Sequence, residues 1–122
     1  MKYDRLEPCK SCPYRRDSPR KLWAPIEFAQ LLAADASQFG KVFGCHQERK
    51  LDRSEHRVCV GWAIDQKKRD LPSLAFRMLL IMQRGASDWF DKLDVRLPGL
   101  FRTLASMCRA NGVRVESVSA SK

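Results

Sequence analysis

Four cysteines and one histidine in the first half of the chain have the residue types and spacing of a metal site. Cys9 and Cys12 are separated by two residues, the spacing at which two thiolates of one tight turn reach the same ion. Cys45 is followed directly by His46, and Cys59 completes a set of four thiols. Thiolates that converge on one point are donors that zinc prefers, so the sequence predicts a Zn²⁺ site formed by these four cysteines.

The sequence allows two roles for His46 in this ligand set. His46 adjoins Cys45, so it either replaces one of the cysteines or hydrogen-bonds to a thiolate from outside the shell. An iron–sulfur cluster also accepts four cysteines, but the spacing departs from the dense ferredoxin pattern, which favours zinc. A thiol redox pair at Cys9 and Cys12 is a further alternative. A shell closed by four protein ligands leaves no place for a reacting water, so we expect a structural metal.

Catalytic motifs are poorly represented. The sequence contains no glycine-rich phosphate loop, no H-E-x-x-H and no G-x-S-x-G motif. The P-C-x-x-C half of the zinc-deaminase signature is present at residues 8–12, but His46 and Glu48, which have its H-x-E spacing, follow that half when they should precede it. We therefore expect a protein that is not an enzyme.

Short helices are expected to position these residues in a mainly α domain. Repeated prolines make residues 1–24 an irregular basic arm, which a metal would hold as a small N-terminal knuckle. The segment 59–68 also alternates like a strand, but it runs on without a turn signal, which favours helix. Apolar spacing predicts a bundle of four to five short helices at residues 25–34, 59–68, 72–84, 87–93 and 98–110, with a loose tail at 113–122.

Several details of these helices follow from composition. The segment 72–84 is apolar nearly all round, which predicts that it lies at the centre of the core. Gly85 is expected to end it, Ser87 or Asp88 to cap the next helix, and Pro98 to begin the last one. The fifth cysteine, Cys108, falls on the apolar side of that last helix, which predicts a buried residue without a metal.

Length and composition indicate one globular domain over residues 1–122, with 44% hydrophobic residues. No apolar run approaches the roughly 20 residues that span a bilayer, and the N-terminus has no signal-peptide pattern. We therefore expect a cytoplasmic protein without a membrane partner. In that compartment, clustered cysteines bind metal more often than they form disulfides.

The net charge of +9 favours anionic partners. One basic group follows the first cysteine pair and another lies in the polar loop 47–57, so a shared metal would bring both to one positive surface. Tyr14 and Trp23 add aromatic faces on which bases can stack. A solvated rim, with Trp23 buried against the first helix, is the alternative interpretation. The candidate contacts to nucleic acid or to a protein partner are Arg15, Arg16, Arg20, Arg49, Lys50 and Arg53.

Three strings of this chain resemble a family of small uncharacterised proteins that is frequent in bacteriophages and actinobacteria. Members carry a C-x2-C-P-[WY]-R start, a Cys-His step and a C-x-G-[WF] element that leads into helices. The resemblance covers roughly residues 8–84, and it implies the same four-cysteine shell with His46, Arg15 and Trp62 as motif residues. It implies no established activity. The matching strings are Pro8-Cys-Lys-Ser-Cys-Pro-Tyr-Arg15, Cys45-His46 and Cys59-Val-Gly-Trp62.

Together these features predict a zinc-stabilised binding protein, encoded by a phage or mobile element, that presents a basic surface to nucleic acid or to a host protein that handles it. One alternative is a protein–protein inhibitor or adaptor for an acidic host protein, which an exposed patch at Trp89 and Phe90, or at Trp23, would favour. The other is an iron–sulfur redox-sensing regulator. If the protein is encoded by a phage, the expected compartment is the cytoplasm of the host cell. The sequence indicates neither a small-molecule substrate nor an oligomeric state.

Overall fold

The chain folds into short helices joined by irregular segments. The computed structural model describes residues 2–18, 20, 25–36, 42–44, 56–69 and 72–113. In chain order the helices are α1 Pro25–Ala36, α2 Val60–Lys67, α3 Leu74–Met82, α4 Ala86–Lys92 and α5 Leu104–Ala110. Within these described ranges, β pairing is limited to isolated bridges between Lys2 and Arg57, Gly44 and Val58, and Arg15 and Leu100. The predicted mainly α class with four to five short helices is therefore confirmed, while the metal-tied knuckle stays a prediction.

The helix at the centre of the core is α2. Every residue from Val60 to Gln66 is buried, including a carboxylate and an amide. The Asp65 carboxylate accepts a 2.7 Å hydrogen bond from Arg69, and the Gln66 side-chain oxygen accepts one of 2.9 Å from the Ser73 N–H. Because both polar groups are paired inside the fold, their burial leaves no large desolvation penalty.

The expectation that the 72–84 helix occupies the centre of the core is wrong. In α3 only Phe76 is fully buried, whereas Met78, Ile81 and Met82 are 49%, 84% and 75% exposed. α3 packs against α4, and the Phe76 ring centroid lies 4.7 Å from that of Trp62 in α2. A nine-residue helix at the edge of a small core can bury one side only, whatever the composition of its other side.

The turn between α3 and α4 also differs from the sequence expectation. Gln83, the residue after α3, has extended backbone, so the helix has already ended before Gly85. Gly85 has a left-handed φ of 83° and is the N-cap of α4, the position expected for Ser87 or Asp88. The glycine therefore supplies the backbone conformation of the turn into α4, since only glycine adopts this φ without strain.

The last helix begins later than expected. α5 starts at Leu104, not at Pro98, because the segment before it has another role. Gly99 has a left-handed φ of 85°, which no α-helix contains, and Leu100 pairs with Arg15 of the N-terminal arm. Tertiary pairing of this segment with the arm therefore takes precedence over the helical signal of the proline.

The ends of α5 follow local capping rules. Thr103 and Ser106 form a reciprocal capping box, in which the Ser106 N–H donates to the Thr103 hydroxyl at 3.0 Å. Asn111 ends the helix, as the sequence predicts. Cys108 is completely buried, which confirms the burial expected for the fifth cysteine.

The N-terminal arm lies against the C-terminal half of the chain. The Phe101 N–H donates to the Tyr14 carbonyl at 2.9 Å, and the Trp89 indole N–H donates to the Arg5 carbonyl at 2.7 Å. Trp89 is therefore buried and Phe90 is partly buried, so these two residues do not form the exposed patch expected of an adaptor. Hydrogen bonds to later segments hold an arm that has no helix or strand of its own among the described residues.

Lys67 at the end of α2 closes the C-terminal end of α4. Its ammonium group donates to three main-chain carbonyls, those of Phe90, Asp91 and Leu93, at 2.9, 3.0 and 2.8 Å. The last carbonyls of a helix have no partner within the helix, and a cation at this end also interacts favourably with the helix dipole. This side chain therefore links the central helix to α4.

Lys67→Met is expected to lower the free energy of unfolding by about 1.5 kcal/mol, because hydrogen bonds from a charged donor to the backbone are lost while the aliphatic stem is kept. Denaturant unfolding followed by circular dichroism measures the change. Lys68→Met is the matched control, since Lys68 is exposed and its ammonium donates a long hydrogen bond, of 3.5 Å, to the Phe101 carbonyl. Equal losses in the two variants would show that the three contacts do not stabilise the fold.

Candidate metal centre

A tight turn presents the first two cysteines. The Cys12 N–H donates to the Cys9 carbonyl at 3.0 Å, which closes the turn over the two intervening residues. The buried Ser18 hydroxyl lies 2.6 Å from the Cys12 carbonyl and 3.0 Å from the Lys10 carbonyl. These hydrogen bonds fix the backbone of the turn in a segment that has no regular secondary structure.

Cys59 approaches this turn from the start of α2. Its N–H donates to the Phe43 carbonyl at 2.9 Å, and its carbonyl accepts from the Ala63 N–H at 2.9 Å. The sulfurs of Cys12 and Cys59 are 3.9 Å apart, and both side chains are buried. This is far longer than a disulfide bond. Two thiolates bound at about 2.3 Å to one tetrahedral zinc ion are about 3.8 Å apart, so this pair has the separation of two ligands of one ion.

The Cys12 thiol interacts with both Cys9 and Cys59. Hydrogen bonding to Cys59 raises the pKa of the Cys12 thiol well above its usual range, a hydrogen bond with Cys9 opposes this, and burial raises the pKa further. A cation that binds to such thiols displaces their protons, so its affinity rises with pH.

Gly61 permits the close approach of α2 to the cysteine turn. A Cβ atom at position 61 would lie 2.6 Å from the Cβ of Tyr14 and 2.8 Å from the sulfur of Cys12, and both distances are shorter than any ordinary contact. Only glycine therefore fits between the helix and the turn. Gly61 is the glycine of the C-x-G-[WF] element, to which the resemblance assigns no physical role, although a glycine inside a helical segment is a recognised sign of a close approach.

Cys45 and His46 lie outside the described residues, so the four-cysteine shell stays a prediction. Within the part of the chain that the structure describes, no three or more His, Cys, Asp and Glu side chains form a group that could hold a metal ion. The described residues do place the neighbour of Cys45, because Gly44 forms an antiparallel bridge with Val58, the residue before Cys59.

The predicted contact residues of the arm differ in whether their guanidinium groups already interact with other parts of the protein. Arg15 donates to both carboxylate oxygens of Asp17 at 2.8 Å, and this hydrogen bonding lowers the pKa of the Asp17 carboxyl. Arg16 is exposed. The exposed Arg20 guanidinium donates to the Ser18 and Arg16 carbonyls at 2.8 and 2.7 Å, and it lies 5.0 Å from the centre of the Phe101 ring. Arg16 is therefore better placed than Arg15 or Arg20 to contact an anionic partner.

Tyr14 does not offer a face on which a base can stack. Its side chain is only 2% exposed, because it packs in the core beside Gly61, so that expectation is wrong. The remaining predicted contacts lie outside the described residues: Trp23, Arg49, Lys50 and Arg53.

The fold and the buried thiols define a small, mainly α protein with a cysteine turn packed on its central helix. The chain belongs to a family of unknown function, DUF6283, whose family model matches residues 4–121. The expectation of an uncharacterised family is thereby confirmed. Searches of curated proteins and of solved structures found no match. In the described ranges, no helix has both the length and the apolar character needed to cross a membrane.

Proposed function

We propose that this protein is a zinc-stabilised binding protein that is not an enzyme. The observation that carries the proposal is the buried pair of Cys12 and Cys59 with sulfurs 3.9 Å apart, a separation that suits two ligands of one zinc ion. Cys9, the other cysteine of the turn, is the proposed third ligand. A metal held by these residues fastens the arm to the start of α2.

Cys45 is the proposed fourth ligand. Successive Cα atoms are about 3.8 Å apart, so Cys45 is tethered one residue away from Gly44, which pairs with the residue preceding Cys59. The motif pattern around Cys45, including His46, then has a physical purpose, since it brings a ligand to the cysteine turn from a third segment of the chain. A shell of four protein ligands is a structural site, because it has no position for a substrate or a reacting water.

The metal is settled by elemental analysis of the purified protein together with its absorbance spectrum. One zinc per chain in a colourless protein is the expected result. A brown protein with visible absorbance after anaerobic purification would replace this proposal with the iron–sulfur regulator. Protein that folds without any bound metal would contradict both.

In this proposal the basic arm binds nucleic acid. Support comes from the net charge of +9 and from the exposed side chains of Lys10, Arg16 and Arg20 around the cysteine turn. Cations of this kind contact phosphates, which fixes the position of the protein without reading the bases. The burial of Tyr14 removes one stacking face, so binding is expected to be electrostatic and independent of sequence.

Association with a short DNA duplex is expected to weaken steeply as salt rises from 50 to 200 mM, because each phosphate contact releases about one counterion. Fluorescence anisotropy measures this dependence. Arg16→Gln should reduce the slope of log affinity against log salt by about one. Arg109→Gln is the control, since it removes the same charge from an exposed position of α5, outside the arm. An affinity that does not change with ionic strength would contradict nucleic-acid binding.

A further inference from the structure

α3 leaves an apolar face uncovered. Met78, Ile81 and Met82 are spaced i, i+3 and i+4, so they lie on one side of the helix. Their exposed fractions are 49%, 84% and 75%, and they are three of the six large hydrophobic residues that are exposed in the described ranges. Single exposed hydrophobic residues are normal on a protein surface, whereas adjacent ones indicate a contact site.

Positive charge borders this apolar face. The segment 72–87 includes Arg77 and Arg84, and the next acidic residue, Asp88, lies in α4. Arg77 lies one helical turn before Ile81 and donates to the Pro72 carbonyl at 3.0 Å, and the exposed Arg84 follows the end of α3. The surface thus combines an apolar centre with two cationic side chains near its edge.

We propose that the α3 face, defined by Met78, Ile81 and Met82, binds an amphipathic acidic helix of a partner protein. Apolar side chains at i, i+3 and i+4 have the spacing with which helices pack together. Acidic residues beside the apolar side of the partner would pair with Arg77 and Arg84. Two of the three central residues are methionines, whose flexible side chains adapt to a partner surface. This inference is independent of the metal and of the basic arm.

Three other kinds of occupant fit this face less well. A second copy would bring two chains of net charge +9 together, with Arg77 and Arg84 of each copy beside those of the other. A nucleic acid would place phosphates against three apolar side chains that have no hydrogen-bond donor. A lipid surface would gain little from three side chains of a nine-residue helix, since interfacial helices present a longer apolar face.

The test uses a synthetic helical peptide of about 18 residues, with leucine at i, i+3, i+4 and i+7 repeats and glutamate at the flanking positions. The control peptide has the same sequence with lysine in place of glutamate. Methyl NMR of the full chain should show shifts at Met78, Ile81 and Met82 with the glutamate peptide only. Ile81→Gln should weaken this binding about tenfold, as loss of a central apolar contact does. Val95→Gln, which alters another exposed apolar residue outside α3, should leave it unchanged.

Several results would overturn the proposal. Equal binding of the two peptides would show that charge does not select the partner, and an absence of shifts at these methyl groups would show that the face does not bind an acidic helix. Binding to vesicles of anionic phospholipid that depends on Ile81, without peptide binding, would make the face a lipid contact. Dimer formation that depends on Ile81 would make it a contact between copies.

Discussion

Cys12→Ser is expected to abolish stoichiometric zinc binding and to lower the free energy of unfolding by about 3 kcal/mol or more. Apparent binding free energies of structural zinc are on the order of 10 kcal/mol, and serine is a poor substitute for a thiolate ligand. Cys12 is only 2% exposed, so the serine hydroxyl would also be buried where a sulfur was. Zinc content by elemental analysis and unfolding by denaturant measure the two effects.

Cys108→Ala provides the matched control for this variant. Cys108 is a fully buried cysteine of α5 that the proposal leaves outside the metal site. Its replacement should cost about 1 kcal/mol of packing and leave the zinc content unchanged. A chelator should destabilise the wild-type protein and Cys108→Ala but have little further effect on Cys12→Ser. If Cys12→Ser kept one zinc per chain, Cys12 would not be a ligand.

Gly61→Ala is expected to destabilise the protein by about 1–2 kcal/mol. Two physical effects oppose each other at this position. Alanine is favoured over glycine within a helix by about 0.5–1 kcal/mol. However, the new methyl group would lie 2.6 Å from the Cβ of Tyr14 and 2.8 Å from the sulfur of Cys12. Overpacking of a core costs about 1–3 kcal/mol or more, so the steric effect dominates. Denaturant unfolding measures the sum.

The same substitution at Gly44 separates a steric effect from a general intolerance of alanine. The nearest atom to an added Cβ there is the Arg57 carbonyl oxygen, at an ordinary contact distance of 3.7 Å. Gly44→Ala should therefore change stability by less than about 0.5 kcal/mol. Gly61→Ala should also weaken zinc binding, because relief of the clash requires the Cys12 sulfur or α2 to move. Equal stability of the two variants would contradict the close approach.

The existence of the helices could be predicted from the sequence, but their depth in the fold could not. Apolar periodicity locates α2 and α3 correctly, because it reports which residues favour one side of a helix. It suggests that α3 is central, yet α2 takes that place with Asp65 and Gln66 buried. Those two residues are buried because Arg69 and Ser73 hydrogen-bond to them, and such tertiary partners are not visible in a periodic pattern.

The candidate site was predictable to a similar degree. The C-x2-C spacing identifies the cysteine turn, and the structure brings Cys12 to the sulfur of Cys59, 47 positions further along the chain. Gly61 carries no chemistry of its own, so its role emerges only when α2 is seen against the turn. The place of Tyr14 could not be predicted either. An aromatic residue among basic residues suggests a stacking face, but the Tyr14 side chain is buried in the core.

The hydrogen bonds of the N-terminal arm have a consequence for how the protein is made. Arg5 and Trp89 are 84 positions apart, and Tyr14 is bonded to Phe101. At about 5–20 residues per second, the ribosome needs on the order of ten seconds to add the residues between such partners. The arm therefore stays unprotected until these partners have been synthesised, with the thiols of Cys9 and Cys12 accessible to oxidants and to stray metal ions. Such distant pairings also slow the search for the native state, so the nascent chain is at greatest risk before its last helices have been synthesised.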